Sequence, residues 1–162
     1  MPFHPRYFAL PLAFMVLAPA CGHAELGGTA SSVQADGARI GTRIASKAMG
    51  NYSRHDITRA NGGVVREFTN AKGQVFAITW SGPGKPDLRT LLGRHFTALQ
   101  APGQASSGTI GRTMHSLRRP PQVNQPDLQI QTGGHMGWFH GVAFIPSLAP
   151  SGYSTSDLAQ EP

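Results

Sequence analysis

The chain has a single cysteine, Cys21, among its 162 residues. That position lies in a leader-like N-terminus, so no disulfide framework is available and the fold must rest on a packed core. Long apolar runs are also missing. Tyr7 to Ala18 holds roughly a dozen apolar residues and is interrupted by Pro11, whereas a membrane span needs ~20. Further on, the longest apolar run is Val142 to Ile145, so a soluble mature protein is expected. Acids are few, with 8 Asp and Glu against 14 Lys and Arg, and the pI is about 10.3. Charge density is nonetheless low, which excludes a polycationic tail and fits an excess that keeps the protein soluble. In an envelope, such a balance favours contact with lipid phosphate, acidic polysaccharide or extracellular DNA.

The chemical signatures of common enzyme classes are absent too. There is no Gly-x-Ser-x-Gly nucleophile elbow, no His-Glu-x-x-His zinc motif and no phosphate-binding loop. Glu67 and Asp87 are the acids that a carboxylate-pair mechanism would call on. Nothing in their spacing places them across a sugar, and Glu67 is expected on the wet face of its strand. A non-catalytic role is preferred on these grounds, with a secreted hydrolase as an alternative.

What is present first gives an address. Met1 to Arg6 carries one Arg, Tyr7 to Ala18 is the apolar stretch, and Pro19 to Ala24 is rich in small residues. That layout reads as a signal peptide over 1–24, cut between Ala24 and Glu25. The protein is therefore expected in the periplasm or the medium. The alternative is an outer-membrane lipoprotein acylated at Cys21, although Ala18-Pro19-Ala20-Cys21 is a poor lipobox. About 138 residues remain after cleavage, enough for one domain that buries roughly two-thirds of its unfolded surface.

The remaining pattern reads as α+β: one small domain with an antiparallel sheet of about five strands and one amphipathic helix on a face. Residues 25–146 form this domain, with a flexible loop over 101–112 and a polar tail over 147–162. A short helix is expected over Ser31 to Ile40, with Val33, Ile40 and Ile44 on one face. Arg39, Arg43 and Lys47 at helical spacing would make a basic stripe. Asn51 to Thr58 and Val64 to Thr69 flank the hairpin turn Asn61-Gly62-Gly63, and Gly73 closes a second turn. Gln74 to Trp80 is the clearest strand, with Phe76, Ile78 and Trp80 on one face and Val75, Ala77 and Thr79 on the other. Pro86, Asp87, Leu88, Leu91, Leu92, Phe96 and Leu99 spell a helix packed on the sheet. Asp127 to Gln131 and Trp138 to Ile145 are two more strands, turning at Gly133-Gly134. One helical turn is expected near Thr155 or Ser156.

Several stretches together resemble a known family. Glu25-Leu26-Gly27-Gly28 follows the leader. Val65-Arg66-Glu67-Phe68 precedes the run from Gly73 through Trp80 to Pro83. Pro86-Asp87-Leu88 leads to Leu91-Leu92-Gly93, and Gly133-Gly134-His135-Met136 leads to Phe139, Gly141, Ala143 and Pro146. In this order they resemble the proteobacterial secreted family catalogued as domain of unknown function 2844. The resemblance implies secretion and one compact domain. The family has no established activity or catalytic residue, so it implies no site.

Two candidate sites follow from the residues themselves. Met114, His115, His135, Met136 and His140 combine thioether and imidazole, a donor set suited to copper, so a periplasmic copper-binding protein is the alternative to a protein without a cofactor. The odd separation of His135 and His140 puts them on opposite faces of a regular strand. Exposed aromatics such as Trp138, Phe139 and Tyr153 near basic residues would suit an envelope protein or an anionic envelope polymer. No specific nucleic-acid partner is expected.

Overall fold

The computed structural model describes residues 25–100 and 120–160. The leader with Cys21 and Ala24, the 101–112 loop, and Met114 and His115 lie outside the described residues. The elements are α1 (Ala30–Ile40), β1 (Gly41–Ala48), β2 (Tyr52–Arg59), β3 (Val64–Asn70), β4 (Val75–Pro83), α2 (Leu88–Leu92), α3 (Phe96–Gln100), β5 (Gln122–Gln125), β6 (Leu128–His135), β7 (Trp138–Phe144) and α4 (Thr155–Gln160). All strands join one antiparallel sheet in the order β1-β2-β3-β4-β7-β6-β5.

The class is α+β as expected, but the sheet has seven strands rather than five. The two additional strands are its edges, β1 and β5. β1 carries Arg43 and Lys47, so the helical basic stripe does not exist; only Arg39 lies on the helix. The chain leaves α1 at Gly41, whose backbone is extended, and turns straight into β1. Ile44 still meets the helix, because Gly37 lacks the Cβ that would collide with its side chain.

The turns follow from local chemistry. Gly62 and Gly73 hold φ of +82° and +75°, and the Asn70 side chain accepts from the N–H groups of Lys72 and Gln74. The β6–β7 turn is not at Gly133-Gly134. Those residues pair with His140 and Phe139, and the two-residue turn is Met136-Gly137, closed by the pair His135 and Trp138. Gly137 supplies the positive φ of +86°.

The sheet is packed on both faces. Over the first face, Val33 of α1 and Leu88, Leu91 and Leu92 of α2 meet Ile57, Val65, Ile78, Trp80, Ile130 and Ala143. The second face carries a smaller aromatic core of Phe68, Phe76, Phe144, Tyr52 and Tyr153, closed by Leu158 of α4. Strict alternation along β4 fails at one place. Phe68 pairs with Ala77 and Thr69 with Val75, so Phe76 is an extra, bulged residue. The bulge sends Val75 to the first core with Ile78 and Trp80, and Phe76 to the second with Ala77.

The single helix over Pro86 to Leu99 is likewise corrected. Gly93 takes φ +51°, residues Gly93–His95 form a 3₁₀ turn, and α2 and α3 are separate five-residue helices. The break leaves the Arg94 N–H to donate to the Glu25 carboxylate at 3.2 Å. Leu88, Leu91 and Leu92 are buried as the spacing requires, while Phe96 and Leu99 pack partly exposed against the core.

Candidate functional site

The described residues cover only part of the second sheet face. Beyond the aromatic core, alternation places Arg66 of β3, Thr79 and Ser81 of β4, His140 and Val142 of β7, Gln131 of β6 and Gln122 of β5 on the uncovered part. Cross-strand pairs bring them side by side: Arg66 faces Thr79, Thr79 faces Val142, Ser81 faces His140, and Gln131 lies between Val142 and Gln122. They line a groove of about 820 Å³ whose other wall is Thr155, Ser156 and Leu158 of α4. Hydroxyl, amide, imidazole and guanidinium groups thus occupy one surface, offering both donors and acceptors. Gly133 makes room for the His140 ring, which a Cβ there would meet.

Arg66 of the groove belongs to a cross-strand ion-pair cluster. Asp56 sits 3.2 Å from the Arg54 guanidinium and 3.3 Å from that of Arg66, all three about a quarter exposed or less.

A second cleft, of about 730 Å³, opens on the first face beside α2 and α3. Trp80, Leu88, Phe96, Leu99 and Phe139 give it apolar walls, and Lys85, Arg89 and His140 stand at its rim. The Arg89 guanidinium rests 5.0 Å from the Phe96 ring centroid.

The carboxylates named from the sequence do not form a catalytic pair. Glu67 is not on a wet face: it is fully buried under α1, close enough to Asp36 for their charges to interact. Burial first, and Asp36 second, push its pKa from 4.5 up to about 8, so it is neutral at pH 7. Asp87 is the N-cap of α2. Its Oδ1 accepts from the N–H groups of Arg89 and Thr90 and its Oδ2 from the Thr90 hydroxyl, which holds its pKa down.

A hydroxyl–imidazole arrangement was missed at the sequence level, because its members are far apart in the chain. Ser46 Oγ lies 2.8 Å from His55 Nδ1, and His55 Nε2 lies 3.0 Å from Thr69 Oγ1. The register that pairs Ser46 with His55 and His55 with Glu67 builds it. Burial lowers the His55 pKa, with Asp56 partly opposing. A nucleophile–base pair needs an acid to stabilise the imidazolium and a concave site for the acyl group. Here the orienting group is a neutral threonine, and Ser46 is on an exposed edge strand that borders neither of the two clefts described. The arrangement joins three strands rather than building a catalytic centre.

Of the copper candidates, His135 ends β6, Met136 is the exposed first turn residue, and His140 stands five residues on in β7, opposite Gly133. Met114 and His115 fall outside the described residues. Among the described residues no three His, Cys, Asp or Glu side chains group closely enough to hold a metal ion. Of the aromatics named from the sequence, Trp138 is 46% exposed, whereas Tyr153 packs edge-on to Tyr52 and Phe76 in the second core.

No helix among the described residues is long and apolar enough to cross a membrane. Comparison with curated proteins finds no match, and comparison with solved structures finds none either. A family profile described as protein of unknown function (DUF2844) matches residues 22–158, which include every strand, both sheet cores and both clefts. The chain therefore belongs to the DUF2844 family.

Proposed function

We propose that this is an exported, non-catalytic envelope protein that binds an anionic polymer on the open part of its second sheet face. The observation that carries the reading is the groove of Arg66, Thr79, Ser81, Gln122, Gln131 and His140. A polyhydroxylated, carboxylated chain needs a row of hydrogen-bonding groups with a cation among them, and this surface has both. The leader-like N-terminus supports export, and the excess of Lys and Arg supports an acidic partner. The arrangement of Glu67 and Asp87 supports binding over hydrolysis, since one is sealed in the core and the other is spent on a helix cap.

The test is electrophoresis of the native protein through gels containing alginate or neutral dextran. Alginate should retard the parent and dextran should not. Gln131→Ala with His140→Ala should weaken alginate binding about thirtyfold, at ~1 kcal/mol for each of the two lost polar contacts. Equal mobility of the parent in the alginate and dextran gels would contradict the reading.

A further inference from the structure

Met136 and Trp138 are the large hydrophobic side chains that the described residues leave exposed, at 99% and 46%. Met136 is in the two-residue turn at the hairpin tip, and Trp138 is the first residue of β7, in the pair with His135 that closes that turn. The tip is held in place by its neighbours. Gly84 N–H donates to Gly137 C=O at 3.4 Å, the Arg59 guanidinium donates to the carbonyls of Gly84 and Lys85 at 3.0 and 3.4 Å, and the Asn61 amide donates to Pro83 C=O at 2.6 Å. Three loops at this end of the sheet are thereby tied into one surface.

Register assigns that surface its charge. Gly41 pairs with Arg59, and Pro83 with Trp138, so the start of β1, the end of β2, the end of β4 and the hairpin tip share one end of the sheet. Arg39, Arg43, Arg59, Lys85 and Arg89 belong to this end or adjoin it. Asp87 lies among them, close enough to Arg39 for their charges to interact and engaged in the cap of α2.

We propose that this end of the protein docks on an anionic lipid bilayer, with Met136 and Trp138 entering the headgroup region and the basic residues facing lipid phosphates. Size decides between a lipid and a protein partner. A stable protein interface needs about 800 Å² from each side around a buried centre, and two exposed apolar side chains fall well short. A bilayer needs no complementary shape. It takes a few apolar side chains, favours Trp at the headgroup level, and gains affinity with each cation near its surface.

The test is flotation with vesicles of phosphatidylcholine alone or mixed with phosphatidylglycerol. Parent and variants are recovered after export, so that the leader is treated alike in all of them. The parent should float with the phosphatidylglycerol vesicles, less so at raised salt, and little with phosphatidylcholine. Met136→Ser with Trp138→Ser should weaken partitioning about tenfold or more, as burial of two apolar side chains is lost. Arg43→Glu with Lys85→Glu should reduce it on the anionic vesicles alone. These side chains are exposed, and thermal melting will verify that each variant folds. A parent that stays at the bottom with both vesicles, or a folded tip variant that floats like the parent, would overturn the proposal. Alginate binding by the tip variant is a separate readout, because the groove residues are unchanged in it.

Discussion

Glu67 is the residue whose environment most affects the energetics. Its side chain is fully buried, and neither carboxyl oxygen has a hydrogen-bond partner among the described residues. Its pKa is raised from 4.5 to about 8, so the penalty has a definite pH window. Below pH 4.5 both folded and unfolded chains hold the proton. Between 4.5 and about 8 only the folded chain keeps it, so stability falls as pH rises; above about 8 the loss levels off. A shift of that size caps the loss at roughly 5 kcal/mol. Glu67→Gln should therefore remain as stable at pH 9 as at pH 6, apart from other groups, while the parent loses stability. His55, whose pKa is lowered, works in the opposite sense below about 6.5, so the comparison is between parent and variant denaturation at each pH. Identical pH profiles would show that Glu67 ionises freely. Strand parity in the sequence places Glu67 on the same face as Val65, but it cannot say that α1 covers that face. This is why a buried carboxyl read as a wet one.

At the level of elements, the strongest local signals were legible and the weakest were not. The hairpins at Gly62 and Gly73 follow from turn residues, and α2 follows from Pro86, the Asp87 cap and the Leu spacing. β1 was hidden because Ile40 and Ile44, four apart, mimic one helix face; only the close approach of Ile44 to Gly37 shows that two elements meet there. β5 has four residues, of which only Val123 is buried, too short a pattern to register. The helix break required knowing that Gly93 adopts a left-handed φ. Despite that break, Leu92 lies wholly inside the first core. Leu92→Asp should destabilise the fold by about 3 kcal/mol or more, since it puts an unpaired charge in that contact. Asp87→Ala should cost about 1 kcal/mol through loss of the N-cap alone. Chemical denaturation of both variants checks the ranking, and a Leu92→Asp protein that unfolds like the parent would remove α2 from the core.

Across the whole molecule, the groove was the part least available to sequence reasoning. Arg66, Thr79, Gln122, Gln131 and His140 come from five strands; Arg66 and Thr79 lie in family-like stretches, but nothing in those stretches joins them to the other three. His140 entered the sequence reading only as a copper ligand. The sheet order, which inserts β7 between β4 and β6, brings it beside Ser81. The excess of base over acid was legible in the sequence, and it matches the basic end around the hairpin tip. The two surfaces are distinct in chemistry, one polar along the sheet face and one apolar at its end, so polymer and bilayer can be tested independently. The most direct measurement is backbone amide NMR of the isotope-labelled protein titrated with short alginate oligomers. The account predicts saturable shifts concentrated on Thr79, Ser81, Gln122, Gln131 and His140, with Ser46 and Leu92 unmoved. Shifts centred on the first-face cleft around Leu88 and Phe96, or no shifts at all, would contradict it.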